Sequence, residues 1–135
     1  MKRKLSSILV IFIILALVAC QIENTKFGIE VKSYEDIEYI YNEDARVSKR
    51  NLEDKVKEKI YKMITSLDED DFEKVNTEPL KGGGPRIQFK LFSIEVSNEH
   101  LRIYNEDGIE QYNAKNDISD LKKLLNLLDN ELGIQ

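Results

Sequence analysis

Apolar residues recur along this chain in three rhythms. The first is an unbroken run from Ile8 to Ala19, led in by Leu5. The second is alternation. Phe27, Ile29 and Val31 alternate with Gly28 and Glu30, the period of a half-buried strand over 27–31. Residues 34–41 read two ways. Ile37, Tyr39 and Tyr41 fit a strand face, and β-forming Tyr and Ile favour that reading. Ser33 with Asp36 three residues on would instead cap a short helix carrying Tyr34, Ile37 and Tyr41. Residues 42–50 are polar and loop-like. Phe72 to Val75 is a short strand. Ile87, Phe89 and Leu91 alternate, and Phe92, Ile94 and Val96 resume one residue out of phase. Such a phase change predicts a bulge or bend, because a one-residue slip turns side chains to the other face. A strand over 100–104, a hairpin turn at Asn105-Glu106-Asp107-Gly108 and a return over 109–112 complete an antiparallel meander from 86 to 113.

The third rhythm is helical. Leu52, Val56, Ile60, Met63, Ile64 and Leu67 recur at spacings of three and four. Asn51 is the expected N-cap, with Asp54 at the third position. Near the C-terminus Ile118, Leu121, Leu124, Leu125, Leu128 and Leu132 form a second stripe. Asp117 is its expected cap and Gly133 its left-handed stop. The fold class expected is α+β: an antiparallel sheet (meander) with two amphipathic helices packed on one face.

The N-terminal run is too short to span a bilayer, which takes roughly 20 apolar residues. Behind Met1-Lys2-Arg3-Lys4 it has the form of a secretory leader. Its end, Leu17-Val18-Ala19-Cys20, resembles the lipobox of bacterial lipoprotein precursors. The resemblance covers Met1 to Cys20. It implies a signal peptide over 1–19, cleavage before Cys20, and a diacylglycerol on the thiol with an N-acyl chain such as palmitate. It also implies a cell-membrane location, lipid-anchored and facing the extracytoplasmic side. A plain signal peptide or an uncleaved anchor are the alternatives. Against both, residues 21–26 are polar and no basic stop-transfer cluster follows. Residues 20–26 are then a short polar tether, and 27–135 a single α+β domain. The mature pattern also resembles, diffusely, small uncharacterised lipoproteins of bacteria with AT-rich genomes, a likeness that transfers no residue's role.

Removal of Lys2, Arg3 and Lys4 with the leader changes the charge. The mature 116 residues carry 17 lysines and arginines against 25 acids, net −8. Such a domain is repelled by anionic lipid and excludes a nucleic-acid role, which needs a basic face. It favours cations, basic proteins or neutral ligands. The one cysteine, spent on lipid, leaves none for a disulfide, metal cluster or thiol nucleophile.

Candidate chemistry is sparse. Asp68-Glu69-Asp70-Asp71 lacks the alternating ligands and central glycine of a calcium loop and reads as a solvated turn. Lys81-Gly82-Gly83-Gly84-Pro85-Arg86 is not a phosphate-binding loop, because its lysine precedes the glycines and a strand follows. Lys81 and Arg86 are still the candidates for an anion contact. His100, the sole histidine, reads as a surface residue at a turn edge. The expected function is an envelope binding module, of inhibitor, immunity or accessory type, rather than an enzyme. It needs no cofactor beyond the lipid on Cys20. Arg102, Tyr104, Glu110 and Tyr112 are the candidate face toward a protein partner. The alternatives are a small hydrolase using paired carboxylates, or a structural envelope protein.

Overall fold

The computed structural model describes residues 25–42, 47–76 and 83–134. The leader, Cys20 and Lys81 lie outside these residues. The chain falls into two compact units, 1–32 and 33–135. In the described part of the first, β1 (Thr25–Lys26) and β2 (Ile29–Glu30) pair antiparallel. Phe27 and Gly28 form the turn between them, with φ of 52° and 72°. Positive φ at both positions is the handedness of a two-residue hairpin turn. The strand expected over 27–31 is therefore a reversal at its first two residues.

The second unit holds β3 (Ile37–Asn42), β4 (Val47–Arg50), α1 (Asp54–Thr65) and β5 (Phe72–Val75). The meander follows as β6 (Arg86–Phe89), β7 (Ser93–Val96), β8 (His100–Asn105) and β9 (Gly108–Ala114), and then α2 (Ser119–Leu132). The strands form one seven-stranded sheet in the order β4-β3-β6-β7-β8-β9-β5. Every neighbouring pair is antiparallel. The architecture is α+β. β4 occupies a stretch expected to be loop. Its sequence Val-Ser-Lys-Arg has one apolar residue, and an edge strand needs only backbone pairing and tolerates cations that discourage further strands.

The strand reading of residues 34–41 holds from Ile37 onward, and of the helical alternative only a 3-10 turn forms, without Ile37 or Tyr41. Ser33 accepts from the Glu35 N–H at 3.2 Å and caps a 3-10 turn over Tyr34–Asp36, after which β3 begins. Pairing with β6 shifts between Ile37 and Tyr39. This bulge lets Ile37 and Ile40, three apart, both reach full burial. Tyr39 and Tyr41 turn to the opposite face, so the expected grouping of Ile37 with both tyrosines does not hold.

The phase change at 91–92 is a reversal, not a bulge. The Phe89 N–H donates to the Phe92 carbonyl at 2.9 Å, and Ile87 lies directly across from Ile94. The two phenylalanine rings stack at 4.6 Å, leaving Leu91 86% exposed at the tip. The helix starts also differ from expectation. Glu53 and Ile118 stand at the N-caps without side-chain caps, and Asp117 instead pairs with Lys122 at 2.8 Å. The stop is as expected. Gly133 has φ 72°, and the N–H of Ile134 closes back to the Asp129 carbonyl at 2.8 Å.

Ile40, Ile87, Ile94 and Ile103 are successive cross-strand partners, each at most 2% exposed. Leu121, Leu124 and Leu128 on α2 are fully buried, and α2 packs on α1, β3, β4 and β7. Among the described residues no helix is long and apolar enough to cross a membrane.

Candidate functional site

Cross-strand partners share a sheet face. One register row runs Tyr41, Arg86, Glu95, Arg102, Gln111 across β3, β6, β7, β8 and β9. It lies on the face opposite the isoleucine row, since each of its members is adjacent in sequence to one of that row or to its continuation on β9. The alternation Ile94-Glu95-Val96 that drives β7 into the core also delivers Glu95 to the other side. There it is only 1% exposed.

A carboxylate so buried requires partners. Arg102 Nη1 donates to Glu95 Oε1 at 2.9 Å. The Tyr104 hydroxyl donates to Oε2 at 2.8 Å and Arg86 Nε to the same oxygen at 3.3 Å. The Arg86 guanidinium lies 3.9 Å over the Tyr104 ring and 5.9 Å over Tyr41. His100 Nε2 stands 3.8 Å from Oε1, an electrostatic neighbour beyond hydrogen-bond reach, and is buried without a hydrogen-bond partner. Burial pushes the Glu95 carboxyl up; His100, the Tyr104 hydroxyl and the charges of Arg102 and Arg86 more than offset it and hold it at about 2. Burial, followed by the bond to Glu95, pushes the Tyr104 phenol up to about 12.

The network continues outward. Arg102 Nε donates to Gln111 Oε1 at 2.8 Å, and Gln111 Nε2 donates to Asn113 Oδ1 at 2.7 Å. Asn113 opens on a cleft of about 660 Å³ between the β7–β8 turn, the end of β9 and the segment entering α2. On the other side the chain entering β6 closes over Glu95. The Pro85 carbonyl accepts from the Val96 N–H at 3.0 Å. A Cβ on Gly84 would stand 2.5 Å from the Val96 carbonyl oxygen and 3.2 Å from Glu95 Cγ. A glycine is needed for that approach.

The structure separates the expected site residues. Arg102 and Tyr104 lie together on the Glu95 face. Glu110 and Tyr112 lie on the opposite one, because their register partners are Ile103 and Leu101. There the Tyr112 hydroxyl donates to Glu110 Oε2 at 3.1 Å and Lys74 Nζ to Oε1 at 3.0 Å. The Lys74 bond holds the Glu110 carboxyl below the usual range, while burial and then the bond to Glu110 push Tyr112 up to about 12. Arg86, expected to await an anion, is engaged with Glu95. His100, expected at the surface, has a side chain only 20% exposed. The central residue, Glu95, was not among the expected candidates. Its one sequence signal is an acid between two core positions, Ile94 and Val96.

Among the described residues no three His, Cys, Asp or Glu side chains gather to hold a metal ion. No known protein-family model matches this chain, nor does any curated protein or solved structure.

Proposed function

We propose that this chain is an envelope lipoprotein, held at the extracytoplasmic membrane surface by acyl chains on Cys20, whose domain binds a protein partner. The leader and lipobox support the anchor. The contact surface is the Glu95 face of the sheet, where Tyr39, Tyr41 and Tyr104 are half-buried and Ile109 is 43% exposed. The observation that carries the reading is the stacking of Arg86 on Tyr104 above a carboxylate that fixes both. Tyrosine and arginine held in one conformation lose little entropy on binding, and they dominate the energetics of protein interfaces. A proton-transfer role fits Glu95 poorly. A carboxyl held at about 2 with both oxygens engaged is no proton donor at neutral pH.

The test uses the full chain in its native membrane. A photo-crosslinking phenylalanine derivative in place of Tyr39 should give one discrete adduct, and the same residue in place of Lys62 on α1 should not. Equal adducts from both positions, or none from either, overturn the binding reading. The anchor is tested separately: Cys20→Ala should abolish incorporation of labelled fatty acid, and retained incorporation overturns the lipidation.

A further inference from the structure

The cleft beside His100 has a chemistry of its own. Four carboxamides line it, from Asn98, Gln111, Asn113 and Asn116. So do two acids, Glu99 and Asp117, and two lysines, Lys115 and Lys122. The two acids and the two lysines cancel. Two of them are already matched to each other, Lys122 with Asp117 at 2.8 Å, and Lys115 Nζ donates to the Asp70 carbonyl at 2.9 Å. A phosphate or a dicarboxylate would find no surplus cation, and an amine no surplus acid. The polar capacity left over is that of neutral amides, each of which presents a donor and an acceptor in one plane.

One of those amides is held in place. Arg102 donates to Gln111 Oε1, which turns Gln111 Nε2 toward Asn113 Oδ1. With its oxygen so used, Asn113 keeps its NH₂ group as a donor for the cleft. The chain of bonds begins at Glu95 and Arg102, whose side chains are 1% and 8% exposed, so its origin is shielded from water. A buried ion pair that orders a contact amide two bonds away is the supporting shell of a binding site. The cleft volume of about 660 Å³ is that of a small-molecule site.

We infer that this cleft binds a neutral saccharide. Sugar hydroxyls donate and accept at once, as carboxamides do, and carry no charge to be balanced. Among the described residues lining the cleft the one ring is the small His100 imidazole, and no Phe, Tyr or Trp offers a stacking platform, so the affinity is set mainly by hydrogen bonds. The cleft lies at the β9 end of the sheet face whose β3 end carries Tyr39 and Tyr41, and neither the lipid nor a protein partner supplies any of its lining.

The experiment is a titration of the isotope-labelled full chain in detergent micelles with N-acetylglucosamine, followed by amide resonances. Saturable shifts should centre on Asn113 and Asn116, with a dissociation constant in the millimolar range. Asn113→Ala should weaken binding about tenfold, and Gln111→Ala, which cuts the relay but leaves the Glu95–Arg102 pair, should weaken it several-fold with an unchanged far-ultraviolet spectrum. Cationic glucosamine and anionic glucuronate should bind no more tightly than the neutral sugar. Absence of saturable shifts up to about 50 mM sugar, undiminished binding by Asn113→Ala, or tighter binding of either charged sugar or of inorganic phosphate overturns the inference.

Discussion

The Tyr104 hydroxyl donates to Glu95 Oε2 at 2.8 Å, and the same tyrosine's ring carries the Arg86 guanidinium at 3.9 Å. One side chain thus serves the buried carboxylate twice, once as a donor and once as the platform for a second donor. Tyr104→Phe keeps the platform and deletes the bond. The expected cost is about 1.5–3 kcal/mol in urea unfolding, the range for a hydrogen bond to a charged acceptor. The wild-type phenol, pushed up to about 12, also gives a late component in a spectrophotometric tyrosine titration. Its folded value lies above the ordinary 10, so its contribution to stability is complete below pH 10 and is lost as pH rises through 12. Tyr104→Phe should remove one such component, and Tyr112→Phe should independently remove another.

Glu95 makes the stability of the domain sensitive to acid. Its folded value of about 2 lies below the ordinary 4.5. The stability it contributes is therefore present above pH 4.5 and is lost as pH falls from there through 2. The full difference corresponds to on the order of 3 kcal/mol. Denaturant midpoints measured between pH 5 and 2.5 should fall steadily in the wild type, with Glu95→Gln showing a shallower fall. A wild-type slope matching that of Glu95→Gln would assign the acid sensitivity to other groups. At neutral pH Glu95→Ala should cost about 3–5 kcal/mol, because it leaves Arg86 and Arg102 beside a vacated buried site.

Gly84 is the neighbour that admits no side chain. An added Cβ would meet the Val96 carbonyl oxygen at 2.5 Å, and a backbone atom in a central strand cannot swing aside. Gly84→Ala should destabilise the fold by roughly 1–3 kcal/mol, the range for overpacking. Gly108→Ala is the useful contrast. Nothing lies within 4 Å of its Cβ position, and the cost there comes from φ of 130° alone. A cost of Gly84→Ala that disappears in a Glu95→Ala background, which lacks Cγ, would show that the strain runs through Glu95 Cγ instead of the backbone.

Much of the fold could be read from periodicity. The two leucine- and isoleucine-rich stripes, the hairpin at 105–108 and the stop at Gly133 each follow from local sequence alone. What escaped depends on partners distant in sequence. β4 was invisible because an edge strand needs no apolar alternation. The phase slip at 91–92 fits a bulge, a bend and a tight reversal alike, and only the pairing of Ile87 with Ile94 distinguishes them. The site escaped for the same reason. Arg102 and Tyr104 were legible as a face, but which β9 residues join them depends on a register set by the turn at 105–108. A one-residue difference exchanges Gln111 for Glu110 or Tyr112. Glu95 was hidden among 25 acids because its burial follows from Arg86 on β6 and from Arg102 and Tyr104 on β8, not from its own segment.

The bulge in β3 offers the sharpest test of that dependence on register. Ile37 pairs with Phe89 and Tyr39 with Gln88, so the residue between them, Glu38, has no partner of its own. Glu38 is exposed, and Glu38→Ala should be within about 0.5 kcal/mol of wild type. Deleting Glu38 is a different change. It removes the extra residue that lets Ile37 and Ile40 share a face, so one of two fully buried isoleucines must turn toward the Tyr39 side or the pairing with β6 must slip. Loss of one buried isoleucine alone costs roughly 2–3 kcal/mol. A slip would also move Tyr41 off Arg86, and with it the 5.9 Å contact between them. Urea unfolding should therefore separate the two variants by at least 2 kcal/mol. A deletion variant as stable as Glu38→Ala would mean that the bulge is not what seats Ile37.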